Sequence, residues 1–139
     1  ISEASMQDSS FGDDMGKLIL RLSVGGLMLL HGFHKAMNTE TLAFIKGTLE
    51  AVDLPTFISY GVYVGEVLAP LLIIFGLFAR IGGLLLVVNM IFAIALVHSA
   101  QLGLLTPQGG WQLELQAFYL FGGLAICFLG SGRIALRAD

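Results

Sequence analysis

Four long apolar stretches limit the folds open to this chain more than any other feature of its sequence. A helix that crosses a bilayer needs about 20 mainly apolar residues, and such stretches occupy residues 15–36, 57–78, 81–100 and 111–129. The composition agrees, because 56% of the 139 residues are hydrophobic and only 12% are charged. We therefore predict an all-α membrane protein whose four transmembrane helices form a bundle.

The remaining segments are short, and residues 15–133 are expected to form a single transmembrane domain. Residues 1–14 are polar and acidic and predict a tail outside the bundle, either native or left from cloning. Residues 134–139 predict a second, C-terminal tail. Between spans one and two, residues 40–53 repeat apolar side chains at helical spacing but are too short and too charged to cross a membrane. They predict an interfacial amphipathic helix.

The positive charges predict how the bundle is oriented. With four spans, both termini and the short link between spans two and three lie on one side of the membrane. The other side carries only Lys35 and Lys46. Because Lys and Arg favour the cytoplasmic side, we place both termini in the cytoplasm. Arg21 and Arg80, near the cytoplasmic span ends, are expected to extend towards lipid headgroups. The positive residues predicted on that side are Lys17, Arg21, Arg80, Arg133 and Arg137.

A polar cluster is predicted in the outer half of the bundle, where ionisable residues from all four spans reach similar depth. Such groups are costly inside a membrane and are commonly functional. Four of them are candidates for a catalytic proton relay or a ligand site: His31, Glu66, His98 and Glu114. Three more are candidate ligand-binding residues at the rim that also suit an interfacial position: His34, Lys35 and Trp111.

Two members of this cluster receive more specific predictions. His31 is expected to face the interior, whereas His34 and Lys35 are expected to attract an anion or a lipid headgroup at the rim. Glu66 lies about nine residues inside span two, about 13 Å at the rise of an α-helix. A carboxyl group at that depth must be uncharged, paired with a cation or in contact with water. Pro70, four residues later, has no N–H to donate to the Glu66 carbonyl.

Small residues on the spans predict close helix packing. Gly61 and Gly65 form a small-xxx-small pair on span two. Asn89, in the middle of span three, is expected to form a hydrogen bond to another helix. The same packing role is expected of Gly25, Gly26, Gly32, Gly82, Gly83, Gly122 and Gly123. These glycine-lined faces also allow a homo-oligomer.

Charge and cysteine content exclude several classes of function. The formal net charge is −3, so the chain offers no basic surface for nucleic acid. Cys127 is the single cysteine, which excludes an intramolecular disulfide, a CxxC redox pair and a metal or iron–sulfur site built from cysteines. The apolar sequence around Cys127 indicates a buried, unreactive thiol.

The ordered set of these motifs resembles the DoxX family of small bacterial membrane proteins. The resemblance runs from Lys17 to the C-terminus, although Ser131 departs from the usual Gly-Pro-Gly-Arg ending. It is carried by Leu20-Arg21-Leu22, His31-Gly32-Phe33-His34-Lys35, Glu66, Gly76-Leu77-Phe78-Ala79-Arg80, His98, Gly109-Gly110-Trp111, Glu114 and Gly130-Ser131-Gly132-Arg133. Some relatives are subunits of thiosulfate:quinone oxidoreductases, and others attach to membrane redox or sulfur-stress complexes. The resemblance therefore implies a four-span inner-membrane protein that handles quinone or a small redox partner.

Three functions remain open at this point, and the sequence does not decide whether the chain is catalytic. The first is a quinone-linked oxidoreductase component, with electrons supplied by a membrane or periplasmic redox partner. The second is a non-catalytic scaffold or anchor for a redox enzyme. The third is a metal or haem site, for which His31, His98 and Glu66 are the available ligands.

Overall fold

Five helices make up the fold within residues 3–139, the part of the chain that the computed structural model describes, with side chains described from Ser10 onwards. A 3-10 turn, Ser99–Gln101, follows the fourth helix. This part of the chain contains no β-strand and only isolated β-bridges. The helices are α1 (Glu3–Met37), α2 (Thr39–Ala51), α3 (Thr56–Phe75), α4 (Ala79–Leu96) and α5 (Glu114–Leu129).

Three stretches within these helices are long and apolar enough to cross a membrane: Ser10–Met37 of α1, Thr56–Phe75 and Ala79–Leu96. Helix α5 is apolar but has 16 residues, about 24 Å of helix against a hydrocarbon core of about 30 Å. It is shorter than predicted because Trp111 forms an isolated β-bridge with Leu105 and residues 112–113 form a turn. The all-α class is confirmed, and the apolar helices are compatible with a membrane bundle.

Helix α1 begins well before the predicted start of span one. The polar segment from Glu3 to Asp14 continues the helix instead of preceding it, and residues 1 and 2 lie outside the described residues. A helix can continue through polar residues where water surrounds it. Hydropathy alone therefore marks the apolar part of α1 and not the residue at which the helix begins. Asp14 of this extension accepts a 2.6 Å hydrogen bond from Nε of Arg133.

Helix α3 is irregular in its first half. It consists of a 3-10 turn (Thr56–Tyr60), a short α-helical piece (Gly61–Tyr63), a π-helical turn (Val64–Leu68) and a regular α-helical end (Ala69–Phe75). Pro70 lies at the start of the last piece, where its missing N–H is tolerated. Helix α3 ends at Phe75, and Gly76, which follows it, has a left-handed φ of 67°.

The core lies where α1, α3, α4 and α5 meet. Helix α4 packs most extensively against α5, and α1 packs against α3 and α5. A Cβ atom built on Gly83 would meet the Gly123 carbonyl oxygen, so these two glycines let α4 and α5 approach closely. The packing role predicted for them is confirmed. The buried core residues are Met28, Ala69, Ile73, Ala79, Leu86, Met90, Tyr119 and Ile126.

Arg21 is buried, with 1% of its surface exposed. Its guanidinium donates to the carbonyl oxygens of Ile73 (2.9 Å) and Ile74 (3.0 Å) at the end of α3. It also donates to those of Ser131 (2.9 Å) and Ile134 (2.6 Å) after α5. The prediction that Arg21 reaches lipid headgroups is wrong, because carbonyl groups inside the protein satisfy the guanidinium.

The segment after α5 folds back onto the protein instead of extending as a tail. The backbone N–H groups of Leu136 and Arg137 donate to the carbonyls of Phe75 and Gly76, both at 3.0 Å. Arg80 remains exposed, but its guanidinium donates to carbonyls at the last turn of α5, including that of Phe128 at 2.7 Å. The C-terminal segment therefore links the α3–α4 turn to the end of α5.

Candidate functional site

The carboxylate of Glu66 is a charged group enclosed by the first half of α3 and its neighbouring helices. Glu66 is 2% exposed. Its Oε1 and Oε2 accept hydrogen bonds from Nζ of Lys35 at 2.6 and 2.8 Å. Oε2 also accepts a 3.1 Å hydrogen bond from Nδ2 of Asn89. The carboxylate is thus paired with a cation, one of the three arrangements that its depth allowed, and the predicted interhelical role of Asn89 is confirmed.

The backbone around Glu66 departs from a regular α-helix. Glu66 lies in the middle of the π-helical turn Val64–Leu68. Such turns are rare and occur frequently at functional sites. Pro70 begins the regular helix that follows, so the irregular turn lies next to the one position in α3 that has no N–H to donate.

A close crossing of α1 and α3 brings Lys35 to Glu66. Gly32, one turn before Lys35, lies against the backbone carbonyl of Glu66, and a Cβ atom at position 32 would collide with that oxygen. Residues three apart share a helix face, so the same face of α1 presents both the small contact and the amine. The packing role predicted for Gly32 is confirmed.

We predict that Gly32→Ala destabilises the protein by about 1–3 kcal/mol, because the added methyl group forces α1 and α3 apart. Thermal unfolding in detergent measures the effect. Gly26→Ala is the matched control on the same helix, since no described atom lies within 4 Å of a Cβ built there. That control is expected to be neutral or stabilising by up to about 1 kcal/mol. Equal melting temperatures for the two variants would contradict the close crossing.

The ion pair lines a cavity of about 490 Å³ between α2, α3 and α4, within the usual size range of small-molecule sites. Its polar lining side chains include Lys35, Glu66, Asn89 and His98. Most of the rest is apolar, with residues such as Phe44, Ile45, Leu49, Val88 and Phe92. The cavity is therefore an apolar space with a few hydrogen-bonding groups on its wall.

The structure brings three of the predicted site residues to this cavity: Glu66, His98 and Lys35. Nδ1 of His98 also lies 3.1 Å from Oε1 of Gln101. Lys35 differs from its prediction, because its amine turns inward to the buried carboxylate instead of standing at the rim. The long, flexible side chain of Lys35 brings its ammonium to the Glu66 carboxylate on the neighbouring helix. The imidazole of His31 does not reach that carboxylate.

Four predicted residues lie away from the cavity lining. His31 is exposed and packs edge-on against Tyr119, with ring centroids 5.7 Å apart. His34 is exposed beside Asn38. Trp111 donates from Nε1 to the Leu102 carbonyl at 2.9 Å. Glu114 is exposed at the start of α5. The prediction that His31 faces the interior with Glu66, His98 and Glu114 is therefore not what the structure shows.

Metal ligation by the predicted set also lacks a geometric basis. Among the residues whose side chains are described, no group of three His, Cys, Asp or Glu lies close enough to hold a metal ion. His31, His98 and Glu66 do not converge, because His31 contacts α5 while the other two line the cavity.

The cavity wall contributed by α2 is not predicted by the sequence. Phe44, Ile45 and Leu49 of this helix line the cavity, and α2 packs mainly against the 3-10 turn at the start of α3. The apolar spacing of residues 40–53 showed that α2 has an apolar face. It did not show that the face covers a cavity instead of lipid alone.

The fold and this site define a multi-pass helical membrane protein with an ion-paired carboxylate on the wall of an apolar cavity. The chain belongs to the DoxX family, whose family profile matches residues 16–99. It is also 32% identical over 126 residues to a Bacillus subtilis (strain 168) protein named "Putative oxidoreductase CatD". The aligned region covers 88% of this chain and 85% of the relative. No solved structure matches the chain.

Proposed function

We propose that this chain is a quinone-binding component of a membrane oxidoreductase, located in the bacterial inner membrane. The observation that carries the proposal is the cavity, where Lys35, Glu66 and Asn89 form a hydrogen-bonded group on an otherwise largely apolar wall. A quinone needs hydrogen-bond partners for its carbonyl oxygens and an apolar surface for the rest of the molecule. The name of the Bacillus subtilis relative supports the oxidoreductase class.

Each polar residue of the cavity has a role in this proposal. Lys35 donates a hydrogen bond to one quinone carbonyl, and its pairing with Glu66 holds the ammonium in place. Glu66 and His98 carry the two protons that accompany two electrons when a quinone becomes a quinol. A membrane or periplasmic redox partner supplies the electrons. His31, His34, Trp111 and Glu114 are outside the cavity lining and have no part in binding the ring.

The placement in the membrane follows the charge distribution. Helices α1, α3, α4 and the shorter α5 form four spans with both termini in the cytoplasm, and α2 lies at the outer surface. The cavity under α2 then lies in the outer half of the membrane, at a depth that a lipid-dissolved quinone can reach.

Titration of the purified protein in lipid nanodiscs with ubiquinone and menaquinone analogues, followed by calorimetry, tests the proposal. We expect the wild-type protein to bind at least one of the two and Lys35→Met to bind it at least about tenfold more weakly, since a lost hydrogen bond from a charged donor is worth about 1.5–3 kcal/mol. Lys46→Met is the matched control, because Lys46 is on α2, donates to the Tyr60 hydroxyl and is outside the cavity lining.

Two results would contradict the proposal: a wild-type protein that binds neither quinone, or a Lys35→Met variant that binds as tightly as Lys46→Met. Stable co-purification of a redox enzyme together with the first result would favour a scaffold or anchor instead.

A further inference from the structure

Besides the residues of α2, the apolar wall of the cavity is built from one stripe on α3 and one on α4. On α3 the lining residues are Ile58, Gly61, Val62, Val64, Gly65 and Glu66, and on α4 they are Leu85, Val88, Asn89, Phe92, Ala93 and Leu96. The α4 set follows helical spacing, so this helix turns a single face towards the cavity, whereas the α3 set is nearly continuous from Gly61 into the π-helical turn. Glu66 is at the C-terminal end of its stripe, and Gly61 lies five residues before it.

The two glycines of the α3 stripe do different things. Gly65 presses against Asn89, whose side chain a Cβ atom at position 65 would meet, so its predicted packing role is confirmed. Gly61 lines the same cavity, but no described atom lies within 4 Å of a Cβ built there. The prediction that Gly61 packs a helix closely is therefore wrong. Its φ of −59° and ψ of −24° suit any residue, so backbone conformation does not require glycine at this position. Its effect on the structure is to leave space.

The cavity is continuous with the outer apolar surface of the protein. Phe44 of α2 and Phe92 of α4 both line it, yet they are 61% and 46% exposed. Val64 and Val88 combine lining and exposure in the same way. In a membrane these four side chains face lipid. The wall thus runs from the buried Glu66 carboxylate to the hydrocarbon region.

We infer that the ligand of this cavity is a membrane-dissolved amphiphile with an apolar tail, and that Gly61 determines the room available for that tail. The polar head meets Lys35 and Glu66, while the tail lies along Gly61 and Phe92 towards the lipid. This inference rests on the proposed function and adds a specificity-determining residue to it. A bulkier residue at position 61 should discriminate between ligands with and without a tail.

The test compares Gly61→Leu with the wild-type protein in nanodiscs, using two pairs of probes. The first pair is dimethoxy-methylbenzoquinone, which has no tail, and decylubiquinone, which has one. The second pair is menadione, which has no tail, and a short-chain menaquinone. We expect Gly61→Leu to lower the affinity for the tailed ligand by about tenfold or more. Its affinity for the tail-free ring should change by less than about threefold. Gly47→Leu on α2 is the control, because position 47 is exposed, has no described atom within 4 Å of a Cβ and does not line the cavity.

The outcomes separate this inference from the proposed function. If a wild-type protein binds neither member of either pair, the proposed function fails. If it binds them but Gly61→Leu weakens both members equally, or leaves the tailed ligand unaffected, the inference about the tail is overturned while quinone binding stands. A melting temperature for Gly61→Leu equal to that of Gly47→Leu shows that lost affinity is not lost folding.

Discussion

Arg21→Met is expected to destabilise the protein by about 5 kcal/mol or more, enough to prevent recovery of a monodisperse sample. The substitution removes the donors of all four hydrogen bonds that Arg21 makes to carbonyl oxygens. Each buried polar group left without a partner costs about 1–3 kcal/mol. Single substitutions of that size are rare and indicate the loss of a buried network.

The effect should be structural because of which segments Arg21 joins. The carbonyls of Ile73 and Ile74 belong to the end of α3, where a helix leaves acceptors unpaired. Those of Ser131 and Ile134 belong to the chain after α5. A single side chain of α1 thus holds together the ends of two other elements, and without it the C-terminal segment keeps only the backbone hydrogen bonds of Leu136 and Arg137 to the end of α3.

Size-exclusion chromatography and thermal unfolding in detergent measure this prediction. Arg21→Lys is expected to be intermediate, since an ammonium keeps the charge but lacks the planar, five-donor geometry of guanidinium. Lys17→Met, one turn earlier on α1, is the control because its partner is Asp13, an exposed neighbour on the same helix. If Arg21→Met has the same melting temperature as the Lys17→Met control, the four hydrogen bonds contribute little to stability.

The contrast between Glu66 and Arg21 shows what the sequence could and could not predict. Glu66 stands out as a carboxylate inside an apolar run, and the requirement that such a group be compensated correctly indicated a buried site. Arg21 also interrupts an apolar run, but its partners are backbone carbonyls. These exist at every position and leave no mark in the sequence, so an arginine near a span end looks the same whether it reaches lipid or protein.

The sequence could not show whether His31 or Lys35 contacts Glu66, for a different reason. The two residues are four apart and share a face of α1. That face borders both α3 and α5, and the crossing at Gly32 decides which residue meets which helix. The result is that His31 packs against Tyr119 of α5 and Lys35 binds Glu66 of α3. Helical periodicity gives the shared face but not the rotation of the helix against its neighbours.

The Lys35–Glu66 pair is expected to behave as a coupled unit in stability measurements. Glu66→Gln leaves an ammonium directed at a neutral amide, and Lys35→Met leaves a buried carboxylate with Asn89 as its remaining hydrogen-bond donor. Breaking a buried ion pair by removing one partner costs about 3–5 kcal/mol. The Lys35 side chain is 28% exposed and that of Glu66 3%, so we expect a loss of about 3 kcal/mol for Lys35→Met and less for Glu66→Gln.

The double variant Lys35→Met/Glu66→Gln should be more stable than the sum of the two losses implies, by about 2 kcal/mol. Once both charges are gone, the amide oxygen introduced at position 66 can still accept from Asn89, and no charge remains unpaired in the cavity wall. Denaturant unfolding of all four proteins in the same detergent gives this coupling energy. The equivalent cycle on the pair of Lys17 and Asp13, whose Asp13 side chain is 57% exposed, serves as a reference and should show coupling below about 1 kcal/mol.

Comparing stability with quinone affinity across the same four proteins then separates the two roles of the pair. If the pair only stabilises the fold, the double variant should regain affinity along with stability, because the cavity is restored. If Lys35 donates to the ligand, as we propose, the double variant should recover stability and still bind quinone about tenfold more weakly than wild type. Additive losses of stability, with no recovery in the double variant, would show that Lys35 and Glu66 act independently.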